Sequence, residues 1–424
     1  MLAFKFKEVI VMRNFNKNTL KLFILIFLVN LFVPTVAVAQ NLEETYMTPV
    51  GEEGLTADTT HLEDELHKWN KNMDVWFMLM LVAFLMLFIK KFEWGVCLAV
   101  LLVTAGSFIT YMAINQFVFG EFVWTQDWTI LGVFCAITVV IAIGVFLGTI
   151  KMWQYFLAGI LFAPAWIAAD WWMFSYLEGV VDPGGSMLVH MVAAYWGWGV
   201  ILTLREKRAF DVPVFTTTHS VSFVWLAAML LWVLWPSFVT ALLPADQVSW
   251  GMFTAYMAGL GSIISTYVFC MIWQKKVDPL VFTYAMLAGL VAIGSPLISV
   301  DPWTALGIGL AAGALSATCF IKLHPWLCAK LGVLDVMAVH NLHGIPGIFG
   351  AVCGAIFAGA MINFVSLVGI IVISLVAGGI TGVILRATRG EMEIGSMMSD
   401  QADFVGWKAE PVATEDGKIV VQQV

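Results

Sequence analysis

The apolar positions of this chain fall in long unbroken runs set apart by short polar intervals. They do not alternate as in half-buried strands, nor keep to one face as in surface helices. The runs lie near residues 74–90, 95–117, 128–148, 153–175, 185–204, 219–243, 250–273, 279–298, 302–323, 341–361 and 364–386. Each is about long enough to cross a hydrocarbon core as a helix. The pattern predicts an all-α integral membrane protein with eleven transmembrane helices in the mature chain.

The cationic residues test that count, because inner loops of membrane proteins carry an excess of Lys and Arg. With an external start, the inner loops hold Lys90 and Lys91; Lys151; Arg205, Lys207 and Arg208; Lys275 and Lys276; and Lys322 and Lys330. Arg386 and Arg389 follow the last span. The outer loops between spans hold no Lys or Arg, but Glu121, Asp127, Glu178, Asp182, Asp246 and Asp301. The alternation predicts a multi-pass protein of the cell (inner) membrane, N-terminus outside and C-terminus cytoplasmic.

Residues 1–39 read as a cleavable signal peptide. Lys5, Lys7, Arg13, Lys17 and Lys21 precede an apolar stretch from Leu22 to Val38, and Ala37-Val38-Ala39 is a small-x-small cleavage pattern. Met12 offers an alternative start, and an uncleaved first membrane helix is the other reading. Residues 40–73 form a polar, acidic extracytoplasmic segment, residues 74–386 the membrane domain, and residues 387–424 a polar cytoplasmic tail, flexible or open to a cytoplasmic partner.

Composition agrees with a lipid solvent: of 424 residues 61% are hydrophobic and 12% charged, against about 25% charged in soluble domains. No basic patch or recognition motif points to nucleic acid. The six cysteines form no CxxC pair and read as free thiols packed like small apolar residues. No metal site or cofactor is expected. Neither an ATP-binding motif nor a catalytic constellation is found, so the chain is not read as an enzyme.

Ionisable residues inside spans are costly and therefore functional candidates. Asp182 precedes His190 by eight residues, and Asp335 precedes His343 by eight. Eight residues of helix rise about 12 Å, and the midplane of a bilayer core lies about 15 Å from its surface. The fifth span runs inward and the tenth outward, so both histidines reach the middle from opposite faces. Two inverted five-helix repeats plus one final helix would produce this, with the site at the repeat interface. A buried histidine bonded to a neighbouring helix is the alternative for either residue alone. His340 lies one turn before His343 and either lines the inner vestibule or supports packing. His219 and His324 read as interfacial. Asp182, which opens Asp182-Pro183-Gly184-Gly185-Ser186, suits a helix cap, since a carboxylate accepts free backbone N–H groups there; the same reading applies to Asp335.

These segments resemble the ammonium transporter/Rhesus family. Asp182-Pro-Gly-Gly-Ser-Met-Leu-Val-His190, with Ala193, Ala194, Tyr195 and Gly197, is similar to the first histidine motif of Rhesus-type proteins. Val339-His340-Asn341-Leu342-His343-Gly344-Ile345-Pro346-Gly347 resembles their second. Phe134-Cys135-Ala136 with Gly144 and Gly148 resembles the third-helix motif, and Trp235-Pro236-Ser237-Phe238 the sixth-helix motif. The wider family includes bacterial ammonium transporters; the His-Asn-Leu-His and Trp-Pro-Ser-Phe signatures favour the Rhesus branch. The resemblance implies a homotrimer with one pore per subunit. It also implies His190 and His343 as paired pore histidines, and Phe134 and Phe238 as gates of the external entrance. Val239 and Thr240 replace the family's Asn and Ser after the sixth-helix motif, and Trp196 and Trp198 are bulkier than expected.

The expected function is a channel or transporter for ammonia/ammonium in the lipid bilayer. An apolar pore favours neutral ammonia over ions, and two imidazoles supply a donor and an acceptor midway. Aromatic rings at the entrance can hold the cation before it loses its proton. An ammonium sensor with little conduction and a carbon dioxide channel are the alternatives. A haem-binding redox protein and an ion-coupled transporter of larger solutes fit less of the chain.

Overall fold

The computed structural model describes residues 59–89, 91–212, 216–405, 412–413 and 419–420. The predicted signal peptide 1–39, residues 40–58, Lys90 and the rest of the tail lie outside the described residues. Residues 60–424 form one compact unit.

The chain is built from helices: α1 Thr59–Leu85, α2 Trp94–Phe117, α3 Gln126–Ile143, α4 Met152–Asp170, α5 Val192–Leu204, α6 Thr218–Val239 and α7 Ala245–Gln274. There follow α8 Pro279–Ala285, α9 Ala288–Ala292, α10 Pro302–Thr318, α11 His324–Leu331, α12 Ile345–Phe357 and α13 Asn363–Arg389. Among the described residues, eight helical segments are long and apolar enough to cross a membrane. One antiparallel pairing, Val412 with Val420 and Ala413 with Ile419, departs from a purely helical chain. Val365, Val368, Val372, Val376 and Ile380 form an exposed stripe on α13, as a lipid-solvated helix allows.

Helix starts follow local chemistry. Asp278 and Asp301 each precede a proline, and their carboxylates accept the N–H groups of Leu280 and Val281, and of Trp303 and Thr304. A short acceptor at the cap with proline at the first helical position satisfies donors that would otherwise lack partners. Thr217 and Ser220 do the same for α6 through a reciprocal cap.

The structure differs from the hydropathy reading in three respects. Helix α1 begins at Thr59 rather than near 74, because its polar first turns find tertiary partners: Asn72 donates to Gln126 and Lys68 pairs with Asp127. The eighth predicted span, 279–298, is broken into α8 and α9. The regular helices are interrupted by π-helical turns at Trp171–Tyr176, Ser186–Met191, Cys319–Leu323 and His340–Gly344, and a 3-10 turn at Gly144–Phe146.

Two helix crossings bring backbones into direct contact. On α2 and α4, a Cβ at Gly106 would overlap the carbonyl oxygen of Phe156, and one at Gly159 that of Val103. On α7 and α10, a Cβ at Gly261 would overlap the carbonyl oxygen of Leu306, and one at Gly309 that of Ala258. Small residues let membrane helices approach backbone to backbone.

The tail is not loose as far as Phe404. Met397, Met398 and Asp400 are buried. Met398 N–H donates to the Gly148 carbonyl at 3.0 Å. Asp400 accepts from the backbone N–H groups of Glu93 at 3.0 Å, Trp94 at 3.0 Å and Gly95 at 2.7 Å, and so caps α2. Arg389 bridges Glu206 and the Thr149 carbonyl. The Arg208 hydrogen bond, aided by Arg389, holds the Glu206 carboxyl below its ordinary range. Two methionines and one aspartate are too few to register as an apolar run, which is why the tail reads as free in the sequence. Losing such a cap costs about 1–2 kcal/mol. Asp400→Ala is therefore expected to lower the melting temperature in detergent and to speed proteolysis after Arg389. Unchanged melting and cleavage would show that the contact carries no stability.

Candidate functional site

A narrow cavity runs inside the bundle. Met78, Val82 and Leu85 form one wall of it, a single stripe of α1. Ile137 and Ile141 of α3 face it, and Leu231, Leu287 and Leu342 complete a carbon-lined surface. His190, His343, Trp235 and Phe238 are its remaining lining residues.

His190 and His343 each stand on a π-helical turn. The first turn is set by Asp182, whose carboxylate accepts from the N–H groups of Met187 at 3.0 Å and Leu188 at 3.0 Å. Gly185, at φ +77°, lets the chain turn into the helix, a conformation that costs glycine little. The wide turn is visible in the bond from His190 N–H to the Gly185 carbonyl, 3.2 Å. The second turn is set by Asp335, which accepts from Val339 N–H at 3.0 Å, His340 N–H at 3.0 Å and Trp198 Nε1–H at 3.1 Å.

The parts around the two turns correspond. Gly184 N–H donates to the Gly294 carbonyl at 2.7 Å, just beyond α9. Val336 and Met337 N–H donate to the Val145 and Gly144 carbonyls at 3.0 and 3.1 Å, in the 3-10 turn after α3. Each histidine turn thus begins by docking on the irregular end of another helix. Irregular backbone is tolerated at membrane depth where it is buried in protein, and π turns often accompany functional sites.

The two imidazoles meet at Nδ1 to Nδ1, 3.0 Å, with ring centres 5.1 Å apart. This geometry restricts the protons. One Nδ1 must carry a hydrogen and the other a lone pair, so the neutral rings are opposite tautomers. One Nε2 then offers a lone pair and the other an N–H. Proton loads on both rings at once would aim two N–H groups at each other, a like-charge pair in a dry site. His190 Nε2 is buried without a protein partner.

Trp235 stacks on His190 with ring centres 5.6 Å apart, and the Phe238 ring lies 6.0 Å from His190. Phe134 is not among the lining residues, but its ring centre is 4.8 Å from that of Phe238. His340 does not line the cavity either. Its ring packs on Tyr195 at 5.7 Å and Trp198 at 5.5 Å. His324 lies beside the Cys328 thiol at 3.7 Å, and His219 packs edge-on to Phe223.

Four site residues escape a reading of the sequence. Trp198 appears there as excess bulk, whereas its indole is a hydrogen-bond donor to Asp335. Trp235 sits inside the sixth-helix motif but carries no charge or donor pattern that marks a cavity. Lys71 and Asp74 fall at the polar end of the first apolar run. In the structure Lys71 Nζ donates to Thr240 Oγ1 at 2.9 Å, and Ser237 Oγ donates to Asp74 Oδ2 at 2.6 Å.

The sequence model described as Ammonium Transporter Family matches residues 55–394. The chain is 30% identical over 323 residues to ammonium transporter Rh type C of Oryctolagus cuniculus, covering 71% of this chain and 67% of that protein. It is 31% identical over 270 residues to ammonium transporter Rh type A of Bos taurus, covering 60% of this chain and 62% of that one. The chain thus spans just under two thirds of the bovine protein's length. Nitrosomonas europaea Rh50, of the Rhesus family of channels, is similar in structure. Its TM-score is 0.77 at 28% identity, over 82% of this chain and 94% of that chain. A sensor Amt protein has the same fold, with a TM-score of 0.68 at 18% identity over 77% of this chain and 93% of that one.

Proposed function

Because the chain belongs to the ammonium transporter family, on its Rhesus branch, we propose that it is an ammonia/ammonium channel. The observation that carries this reading is the histidine pair, 3.0 Å apart at Nδ1, in a cavity otherwise lined by aliphatic, thioether and aromatic side chains. Such a cavity is hostile to a bare ion, but ammonia still needs hydrogen bonding on its way. The opposite tautomers supply it, one ring presenting a lone pair and the other an N–H. Ammonium loses its proton outside, ammonia passes Phe134 and Phe238, and His190 and His343 receive it midway. Asp182 and Asp335 hold the turns that aim the two rings, and His340 packs behind the second. The protein is a channel and not an enzyme.

The helical segments, taken with their interruptions, support eleven crossings in two inverted five-helix repeats plus a last helix. The glycine crossing of α2 with α4 recurs in α7 with α10. The π turn that ends α4 recurs after α10, and the histidine turns match in their caps and docking. The orientation of the loop charges favours an external N-terminus after signal cleavage and a cytoplasmic tail in the inner membrane. Family membership favours a homotrimer with one pore per subunit. A cytoplasmic partner would meet the tail beyond its docked part.

The test is flux. Purified protein in liposomes, given an ammonium gradient, is expected to change internal pH faster than protein-free vesicles. A neutral hydrogen bond is worth about 1 kcal/mol net, so losing one polar handle should slow passage about fivefold. His190→Ala and His343→Ala, each shown to insert, are both expected to do so or to alter selectivity. Wild-type flux no greater than in empty liposomes would overturn the channel reading.

A further inference from the structure

The face of α1 that lines the cavity continues outward past Met78, the outermost α1 residue of its lining. Lys71 stands seven residues before it, which places it two turns along the same face and about 10 Å outward. Asp74 lies between them. Both reach the end of α6 around the gate: Asp74 meets Ser237 and Lys71 meets Thr240, on either side of Phe238. The two helices run antiparallel, so these contacts are successive rungs, with the lysine rung farther from the histidines. Lys71 is 6% exposed, unusual for a lysine. Its direction is settled by Thr240, whose own hydroxyl donates to the Pro236 carbonyl at 2.7 Å. The Thr240 lone pairs therefore face the lysine, which donates. Asp74, three residues on along the same helix, offsets part of this charge, while Lys68 farther out pairs with Asp127 at 3.1 Å. Thr240 is also where the chain departs from the family's usual residues after the sixth-helix motif.

We propose that Lys71 sets the charge selectivity of the entrance, its ammonium group disfavouring a second ammonium ion before Phe238 and so admitting ammonia alone. The inference rests on the channel reading above. A positive charge near an arriving ammonium ion favours its neutral form, and the proton passes to outside water. Asp74 accepts from Ser237 beside the gate; without Lys71 this carboxylate would gather cations there. A unit charge about 10 Å away at the effective dielectric of a protein changes cation occupancy about tenfold.

Internal pH and membrane current, followed in the same liposomes under an ammonium gradient, give the charge moved per ammonia delivered. For Lys71→Gln, which keeps a donor for Thr240 but loses the charge, that ratio is expected to rise about tenfold. Lys71→Arg should keep the wild-type ratio, and Lys71→Gln/Asp74→Asn, which carries neither charge, should lie between the wild type and Lys71→Gln. If Lys71→Gln does not insert, Lys71→Met fills the slot and carries the same expectation. Flux with an unchanged ratio in the neutral variant would overturn the role of Lys71 alone, as would an arginine variant that behaves like glutamine. Wild-type protein without flux would overturn the channel reading and this inference with it.

Discussion

Gly309→Ala is expected to cost about 3 kcal/mol or more of stability, at the upper end of what overpacking costs, while Gly307→Ala, two residues away on the same helix, stabilises slightly. The two glycines differ only in what they face. A methyl on Gly309 would overlap the Ala258 carbonyl oxygen of α7, and Gly307 has nothing within 4 Å. The Cβ position is dictated by the backbone, so no rotamer relieves the overlap; α7 and α10 must separate. That parting also breaks the reciprocal approach at Gly261. At Gly307 the same substitution brings only the better helix propensity of alanine, up to about 1 kcal/mol. Thermal unfolding in detergent reads both. Equal melting temperatures for the two variants would show that the crossing tolerates a methyl and that the helices are not held at backbone contact.

The second large effect belongs to Asp335. Asp335→Ala is expected to destabilise the protein by about 3–9 kcal/mol, three buried donors each losing an acceptor at about 1–3 kcal/mol. Those donors are Val339 N–H, His340 N–H and Trp198 Nε1–H, and Asp335 itself is fully buried. The loss is local to the turn that carries His343, so ammonia flux should fall further than stability alone explains. Asp335→Asn keeps one acceptor oxygen and should lie between. Trp198→Phe removes one donor, and combined with Asp335→Ala it should cost less than the sum of the two changes. Unaltered melting in Asp335→Ala would remove the carboxylate from the account of the site.

Much of this architecture is legible along the chain because hydrocarbon imposes a single requirement on every crossing. Runs of apolar residues and the placement of Lys and Arg follow from that requirement directly. The spacing from Asp182 to His190 and from Asp335 to His343 is also legible, since ionisable residues at membrane depth are costly and stand out against the apolar runs. What stays hidden has physical causes. A π turn adds a residue without changing composition, so the turns under both histidines leave hydropathy untouched. The polar start of α1 looks like a soluble segment until Gln126, Asp127 and Thr240 are brought beside it. Trp198 differs from a core tryptophan only in where its indole N–H points. The docking of Asp400 on Glu93, Trp94 and Gly95 joins residues more than three hundred apart in the chain, with no local pattern on either side.

That last contact has a consequence in time. The carboxylate that caps α2 is made 306 residues after Trp94, whose N–H it accepts. At roughly 5–20 residues per second, the first turn of α2 waits on the order of 15–60 s for its acceptor. The bundle enters the bilayer with this end open and closes it only once Asp400 has been made. A chain that stops short of Asp400 inherits the open end permanently, so the cell's proteases meet truncated copies already marked by a frayed helix at the membrane surface.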